Sequence, residues 1–491
     1  MSFDQKIVHA LFWASTASWL RISLAALSYI LIARFIGPEA LGIVAMTFAI
    51  VSLTRVLLGE AVTESLIQKR ELEARHKDTM FWSLAIGSSL VFLLLWAAAG
   101  PIARYYGEPV VAIIMPWAML SVVFTSLRAV PMALLRRDLK FHWIGLAETS
   151  AEVLAAIAGI GLALAGYGVW SLVALYVVRN FVAFAVTIAF AKWTPGAKAE
   201  LAAFRELFGF NSAMVINTAL YRLQRELPVL IAGPVLGATL TGYISAAQRL
   251  AVMLADLTVL PLAQVAMPGF SSLSTNAAIL KLNKRFMTLA ALIVCPAFIG
   301  LICVAPQAVP LILGAEYAPA VPVVQLQALV VLCIAGAYFN STVLRAKGRP
   351  DLQAVATLVS VIMTAVFVYA MKDAGVLAVA VAVAMGYYFS WPVILYAVKY
   401  LTGASMTSLV EPFGRPLIAA SVMAAAVLGW IAAGPIQQSP LAMMMAAIVL
   451  GALAYGAAVL VFARRAIDET ITWLKAWRSE TTTPRGAPAD I

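Results

Sequence analysis

Two stretches decide the fold: LFWASTASWLRISLAALSYILIARFI, residues Leu11 to Ile36, and LGIVAMTFAIVSLTRVLL, residues Leu41 to Leu58. About 20 apolar residues in a helix cross the roughly 30 Å hydrocarbon core of a bilayer. Each stretch nevertheless carries an arginine near its middle, Arg21 or Arg55. A charge at the bilayer centre costs about 2.5 to 3.5 kcal/mol on insertion scales, so it normally faces a polar or protein-lined interior. Both arginines are therefore candidate functional residues; the alternative is that each only pairs with a carboxylate to fix helix packing.

The composition extends this interpretation to the whole chain. Of 491 residues, 63% are hydrophobic and only 12% are charged, a balance that excludes a soluble domain. Apolar segments of spanning length recur from Leu11 to Phe462, with short polar loops between them. The sequence therefore predicts an all-α integral membrane protein that crosses the bilayer about fourteen times.

The basic residues are distributed unevenly between the loops. A net charge of +11 could suggest nucleic acid as a partner, but clusters such as Arg136 and Arg137 fall in alternate loops. The intervening loops hold only Arg34, Arg104 and Lys372. Lys and Arg are enriched in cytoplasmic loops. The loops that carry the basic clusters, together with both termini, are therefore predicted to be cytoplasmic. The expected partner is the lipid bilayer and not nucleic acid.

An internal repeat is indicated by glycines that recur in register. The turn Gly37-Pro-Glu-Ala-Leu-Gly42 after the first helix has the same glycine spacing as Gly237-Ala-Thr-Leu-Thr-Gly242 after the seventh. An even number of helices separates the two turns, which predicts two six-helix lobes of like orientation, related by an axis along the membrane normal around a central cationic cavity. The alternative is chance recurrence of glycine in apolar helices.

The repeat and the loops together give a predicted domain organisation. The boundaries are an N-terminal lobe at 1–191, a cytoplasmic linker at 192–206, a C-terminal lobe at 207–400, two further helices at 401–465, and an amphipathic segment with a disordered tail at 466–491.

Charged residues inside the predicted helices are the candidate functional residues. The arginines are Arg21, Arg55, Arg128, Arg179, Arg222, Arg225 and Arg249, and the acids are Glu60, Glu64, Glu148, Glu152, Glu226 and Asp256. Residues four apart share a helix face, so Arg222 and Glu226 are a candidate structural ion pair. The remaining surplus of cations indicates an anion as ligand, because guanidinium stays protonated and presents a planar donor fork suited to phosphate.

Several other functions find no support in the sequence. It contains no GxxxxGK[ST] phosphate loop, no HExxH motif and no large outer loop that could house a catalytic site. The three cysteines lie in apolar segments, and the three histidines are far apart with no ligand spacing. The sequence predicts no metal site, no catalytic residue and no cofactor.

Four segments resemble polysaccharide-type members of the multidrug/oligosaccharidyl-lipid/polysaccharide exporter superfamily, the Wzx-like repeat-unit flippases. They are ARFIGPEALGIVAM at Ala33–Met46, VLGATLTGYISAAQRL at Val235–Leu250, LILGAEYAPAVPVVQLQAL at Leu311–Leu329 and VLRAKGRPDLQ at Val343–Gln353. The resemblance implies alternating access and movement of an undecaprenyl-diphosphate-linked oligosaccharide from the inner to the outer leaflet of the bacterial inner membrane. It also implies a place beside a polysaccharide polymerase and a chain-length regulator.

The resemblance assigns roles to the charged residues by helix and depth. Related lipid II flippases use arginines in their first, second and eighth helices, and Arg21, Arg55 and Arg249 are similarly placed for the diphosphate. The predicted glycan contacts in the cavity are Arg128, Arg179, Arg222 and Arg225. The candidates for coupling to sodium or protons are Glu60, Glu64, Glu148, Glu152 and Asp256. Many family members have Asn or Asp near the middle of helix 7, where this chain has Gln224, Arg225 and Glu226.

Two alternative functions remain open at this point. The first is a drug or cation antiporter of the same superfamily, which would favour acidic residues in its cavity. The second is a membrane polymerase or ligase of lipid-linked glycans, which would make longer chains from purified repeat units.

Overall fold

The described part of the chain is helical throughout. The computed structural model describes residues 3–55, 58, 66, 72–196, 199–200, 202–204, 212–271, 273, 275–433 and 439–464, and these ranges contain no strand. The helices are α1 (Phe3–Arg55), α2 (Ala74–Tyr106), α3 (Pro109–Arg137), α4 (Phe141–Leu164), α5 (Val169–Ala191), α6 (Ser212–Thr258), α7 (Leu260–Ser271), α8 (Asn276–Leu313), α9 (Val321–Ala346), α10 (Pro350–Met371), α11 (Val376–Thr402), α12 (Met406–Ala433) and α13 (Pro440–Phe462). Short 3-10 turns at Ala315–Ala320 and Lys372–Ala374 precede α9 and α11.

Twelve of the described helices are long and apolar enough to cross a membrane. The predicted all-α multi-pass fold is therefore confirmed. The longest of these helices are not continuous: α6, with 47 residues, would measure about 70 Å if straight, more than twice the hydrocarbon thickness. The number of fourteen crossings and the lobe boundaries stay predictions.

The breaks in α1 and α6 occur at the glycines of the predicted repeat. Gly37 has φ 76° and ψ 171°, and Gly237 has φ 77° and ψ 178°. A side chain is strained at these positive φ values, whereas glycine adopts them readily. The two long helices therefore break in the same backbone conformation, 200 positions apart.

A second glycine of each turn lets the two breaks approach one another. A Cβ added at Gly42 would overlap the carbonyl oxygen of Ala238, and one added at Gly242 would overlap the carbonyl oxygen of Pro38. Each contact is the counterpart of the other under the 200-residue shift. The two turns thus meet in reciprocal backbone contact, as expected of repeats related by a two-fold axis.

The described residues form two compact units. The first comprises the described residues up to Leu257 together with Val309–Val330 and Pro350–Trp391. The second comprises the described residues of Thr258–Ala308, Val331–Arg349 and the chain from Pro392 onward. In the second unit Met423 and Val427 of α12 pack with Ala447 of α13.

The chain that follows α5 is bound to the start of α2 within the first unit. The backbone N–H of Gly196 donates to Asp78 Oδ1 at 3.0 Å, and Trp82 Nε1 donates to the Gly196 carbonyl at 2.8 Å. The Trp193 ring meets Phe81 edge to face at 5.6 Å between centroids. The described start of the predicted linker is therefore fixed to the same body of helices that carries the candidate site.

Candidate functional site

A cavity lies inside the first unit, and the two broken helices α1 and α6 supply most of its wall. Its empty space, with the open mouth included, is about 920 Å³. The charged lining residues are Arg55, Arg222, Arg225, Arg249 and Glu226, and the polar ones include Tyr29, Ser52, Tyr176, Ser245 and Gln248. Among the described residues, the cavity wall therefore holds four guanidinium groups and one carboxylate.

Arg55 is oriented by neutral side chains of two other helices. Its Nη2 donates to Thr125 Oγ1 on α3 at 3.2 Å and to Asn180 Oδ1 on α5 at 3.3 Å. The Thr125 hydroxyl also donates to Asn180 Oδ1 at 2.9 Å, and Asn180 Nδ2 donates to the Tyr176 carbonyl at 2.7 Å. This network holds the amide oxygen toward the arginine, so the guanidinium has a defined position beside the cavity.

Arg249 is placed by an aromatic ring. Its guanidinium carbon lies 5.2 Å from the centroid of Tyr29, a cation–π distance. The Arg249 Nε atom is buried and makes no hydrogen bond to any described residue. A buried donor without an acceptor is costly, and an anion in the cavity would supply one.

Glu226 lies beside the arginines of its own helix. Its Oε1 is 3.8 Å from Arg225 Nε, at the long end of ion-pair distances, and 15% of its side chain is exposed. The charge of Arg222 also acts on it. The predicted pairing of Glu226 with Arg222 alone is thus too narrow, since both neighbouring arginines share this carboxylate.

Two other predicted cavity arginines are bound by glutamates of α4. Arg128 Nη2 lies 2.5 Å from Glu148 Oε1, and its Nε donates to Thr187 Oγ1 at 2.9 Å. Arg179 Nη1 lies 3.7 Å from Oε2 of Glu152, whose side chain is only 3% exposed. We call Arg128, Arg179, Glu148 and Glu152 the paired cluster. None of its members is among the residues that line the described cavity.

The remaining predicted residues lie apart from the cavity wall or outside the described ranges. Arg21 is not among the lining residues, but its charge acts on both Glu148 and Asp256. Asp256 is also influenced by Arg249 and Arg225. Glu60 and Glu64 lie outside the residues that the structure describes. The individual roles assigned to these residues stay predictions.

Sequence reasoning overlooked the polar residues that orient the arginines. Asn180 and Thr125 hold Arg55, and Tyr29 lies under Arg249. The spacing of Tyr176 and Asn180, four apart on α5, was the available signal, because both then face the side from which Arg55 approaches. In the ranges described, no group of three or more His, Cys, Asp or Glu side chains is arranged to hold a metal ion.

Relatives of this chain can be identified by sequence. The chain is 25% identical over 401 residues to the lipopolysaccharide biosynthesis protein WzxC of Escherichia coli strain K12. The aligned region covers 79% of each chain. It is also 25% identical over 303 residues to the succinoglycan biosynthesis transport protein ExoT of Rhizobium meliloti strain 1021, covering 61% of each chain.

Solved structures share its fold. The lipid II flippase MurJ in an inward-closed conformation superposes with a TM-score of 0.73 at 16% identity, covering 93% of this chain and 100% of that one. An inward-facing multidrug resistance transporter of the MATE family gives a TM-score of 0.59 at 14% identity, covering 79% and 96%. Identity this low shows the shared fold alone.

Family membership rests on the match to a whole family of sequences. A family model described as "Polysaccharide biosynthesis protein" matches residues 31–322, more than half of the chain. This region includes both glycine turns and all four cavity arginines. The chain therefore belongs to this family of polysaccharide biosynthesis proteins, and the resemblance drawn from its sequence is confirmed.

Proposed function

We propose that this protein is a flippase that moves undecaprenyl-diphosphate-linked oligosaccharide repeat units across the bacterial inner membrane by alternating access. The observation that carries the proposal is the buried Arg249 Nε, a donor without an acceptor in a cavity that three further arginines line. Guanidinium groups match the oxygens of a diphosphate in number and geometry. A cation antiporter would need the opposite balance of charge in this wall.

The proposal assigns the diphosphate to Arg55 and Arg249, the two cavity arginines of the predicted set. Arg21 belongs to the predicted set as well, and its influence on Asp256 and Glu148 supports a position near the same path. Arg222 and Arg225 line the same cavity and would contact the glycan together with the diphosphate joined to it, and the lipid tail would stay in the bilayer. Arg128 and Arg179 would act on the glycan only if the paired cluster opens.

The expected setting follows from the substrate. Both termini are proposed to lie in the cytoplasm, where the repeat unit is assembled, and a polymerase and a chain-length regulator would receive the product. An inside-negative potential favours outward movement of an anion by about 2.3 kcal/mol per charge per 100 mV, if the charge crosses the field. Counter-flow of sodium or protons is also proposed, with Glu148, Glu152 and Asp256 as the described candidates.

Reconstituted vesicles test this function directly. We would follow a labelled undecaprenyl-diphosphate oligosaccharide in proteoliposomes that contain wild type, Arg249→Ala or Arg104→Ala, and measure its accessibility from outside. Arg104 is an exposed arginine in the last turn of α2 and serves as the matched control. We expect wild type and Arg104→Ala to move the lipid and Arg249→Ala to be about 100-fold slower, as for loss of a charge-assisted contact.

Two results would argue against the proposal. Movement by Arg249→Ala at the wild-type rate would remove the cavity from the transport path. Formation of longer glycans in vesicles that contain only purified protein and repeat units would instead indicate a polymerase.

A further inference from the structure

Glu226 is the unexpected residue of the cavity. Among the described lining residues it is the one carboxylate, and it shares the cavity wall with four arginines. Ser52 on α1 lines the same cavity wall, with its hydroxyl donating to the Ala49 carbonyl at 3.0 Å, while the charges of Arg225 and Arg222 act on Glu226 from α6. The carboxylate therefore sits between the two broken helices and next to two of the guanidinium groups.

A carboxylate is a poor neighbour for a bound diphosphate. Like charges repel strongly in a partly buried site, so Glu226 weakens the binding of any anion that shares Arg222 and Arg225 with it. A cavity selected only for tight binding would carry a neutral residue here. The position makes sense when the empty cavity is considered, because arginines that share one cavity wall repel one another and a nearby carboxylate offsets part of that repulsion.

The Glu226 pairing is also loose. Arg128 and Glu148 of the paired cluster are 2.5 Å apart, whereas the Glu226 and Arg225 atoms are 3.8 Å apart with 47% of the Arg225 side chain exposed. An ion pair at that distance on a half-exposed arginine contributes little free energy. A diphosphate oxygen can therefore replace the carboxylate at Arg225 without a large loss.

We propose that Glu226 is a tethered counter-anion: it neutralises Arg222 and Arg225 while the cavity is empty and is displaced from them by the diphosphate of the substrate. This inference rests on the proposed function and deepens it. Glu226 limits how tightly the anion is held, so that the anion leaves at the far side of the membrane. It then replaces the anion during the return of the empty protein.

Binding of inorganic pyrophosphate to the full-length protein in detergent tests this role. Wild type, Arg249→Ala, Glu226→Gln and Glu226→Asp would be compared by calorimetric titration, with thermal unfolding as the folding control. Glu411→Gln, which removes an exposed carboxylate of the second unit, is the matched charge control. If Glu226→Gln fails to fold, Glu226→Ala provides the same loss of charge.

We expect Glu226→Gln to bind pyrophosphate about 5- to 10-fold more tightly than wild type, and Glu226→Asp and Glu411→Gln to bind as wild type does. In proteoliposomes the same Gln variant should flip more slowly, because the anion leaves slowly. Tighter binding combined with slower turnover is not expected from a purely structural residue.

The outcomes separate the inference from the proposed function. If Arg249→Ala weakens pyrophosphate binding but Glu226→Gln leaves it unchanged or weaker, the cavity binds the anion and the counter-anion role is wrong. If wild type binds no pyrophosphate, the proposed diphosphate site is wrong and the counter-anion role falls with it.

Discussion

Two groups of arginines in the same compact unit differ in what holds them. Arg128 and Arg179 of the paired cluster each meet a glutamate of α4, and Glu152 is almost completely buried. Arg55 and Arg249 line an open cavity and are oriented by an amide, a hydroxyl and an aromatic ring. In the first arrangement each guanidinium meets a described carboxylate, whereas in the second the described neutral groups orient each guanidinium at a cavity wall. Residue type and membrane depth do not distinguish them; their partners do.

The largest expected effect is on the stability of the paired cluster. Arg128→Met leaves Glu148 partly buried and without the guanidinium that meets it, and breaking a buried pair costs about 3 to 5 kcal/mol. We expect a lower thermal unfolding temperature in detergent. The double variant Arg128→Met/Glu148→Met should recover most of the loss, because neither charge of this pair is then left without its partner. No recovery would mean that the arginine acts through contacts other than this pair.

Substitution of a cavity arginine should reduce transport more than it reduces stability. Arg55→Ala removes a guanidinium of the cavity wall, so we expect flipping to fall about 100-fold at normal membrane insertion and the unfolding temperature to fall less than in Arg128→Met. Arg55→Lys keeps the charge but loses the donor fork, and should be intermediate. If Arg55→Ala flips the lipid at the wild-type rate, Arg55 does not act on the substrate, and the distinction between the cavity arginines and the paired cluster is wrong.

A substitution in the glycine turns should weaken anion binding by the cavity arginines and leave the paired cluster unchanged. Gly242→Ala places a methyl group against the Pro38 carbonyl, and overpacking of this kind costs about 1 to 3 kcal/mol. Because the turn sets where α1 and α6 meet, pyrophosphate binding by the cavity should weaken several-fold. The unfolding penalty of Arg128→Met should be the same in wild-type and Gly242→Ala backgrounds. A changed penalty would show that the two arginine groups are coupled through the turns.

The smallest effect concerns the carboxylate of Glu108, whose nearby charge among the described residues is another carboxylate. Glu108 lies between α2 and α3, where burial and the nearby charge of Glu39 raise the pKa of its carboxyl above its ordinary 4.5. A raised pKa means that the folded protein prefers the protonated form, so this contribution to stability is present at low pH and is lost as pH rises through the folded pKa. Glu108→Gln should remove the loss and raise the unfolding temperature at pH 7 by about 1 °C, with no change at pH 4.

The fold was largely predictable because its signals are local. Apolar segment length and loop charge indicate the helices, and the glycine spacing indicated a repeat whose two turns share one backbone conformation at Gly37 and Gly237. Segment length alone could not say where α1 and α6 meet. That depends on backbone contact between Gly42 and Ala238, which are distant in the sequence.

The site was predictable only in part because charge pairing depends on packing between helices. The sequence placed Arg55 and Arg249 in a cavity, and both line one. It did not distinguish Arg128, whose carboxylate partner lies 20 positions away on another helix. It also treated Glu226 as a local partner of Arg222, since helical spacing shows the neighbour on the same face but not the space in front of it.

The reciprocal contact of Gly42 and Gly242 has a consequence for how this chain can evolve. In a symmetric dimer one codon would determine the same residue on both sides of such a contact, and a substitution would strike both sides at once. In a single chain with an internal repeat, two codons determine the two sides independently. Neither can compensate for the other, because each glycine abuts backbone of the opposite turn and not a side chain that could become smaller. The two repeats can therefore diverge at most other positions, with Arg55 in one and Arg249 in the other. At the contact between the two turns, both repeats must keep a glycine.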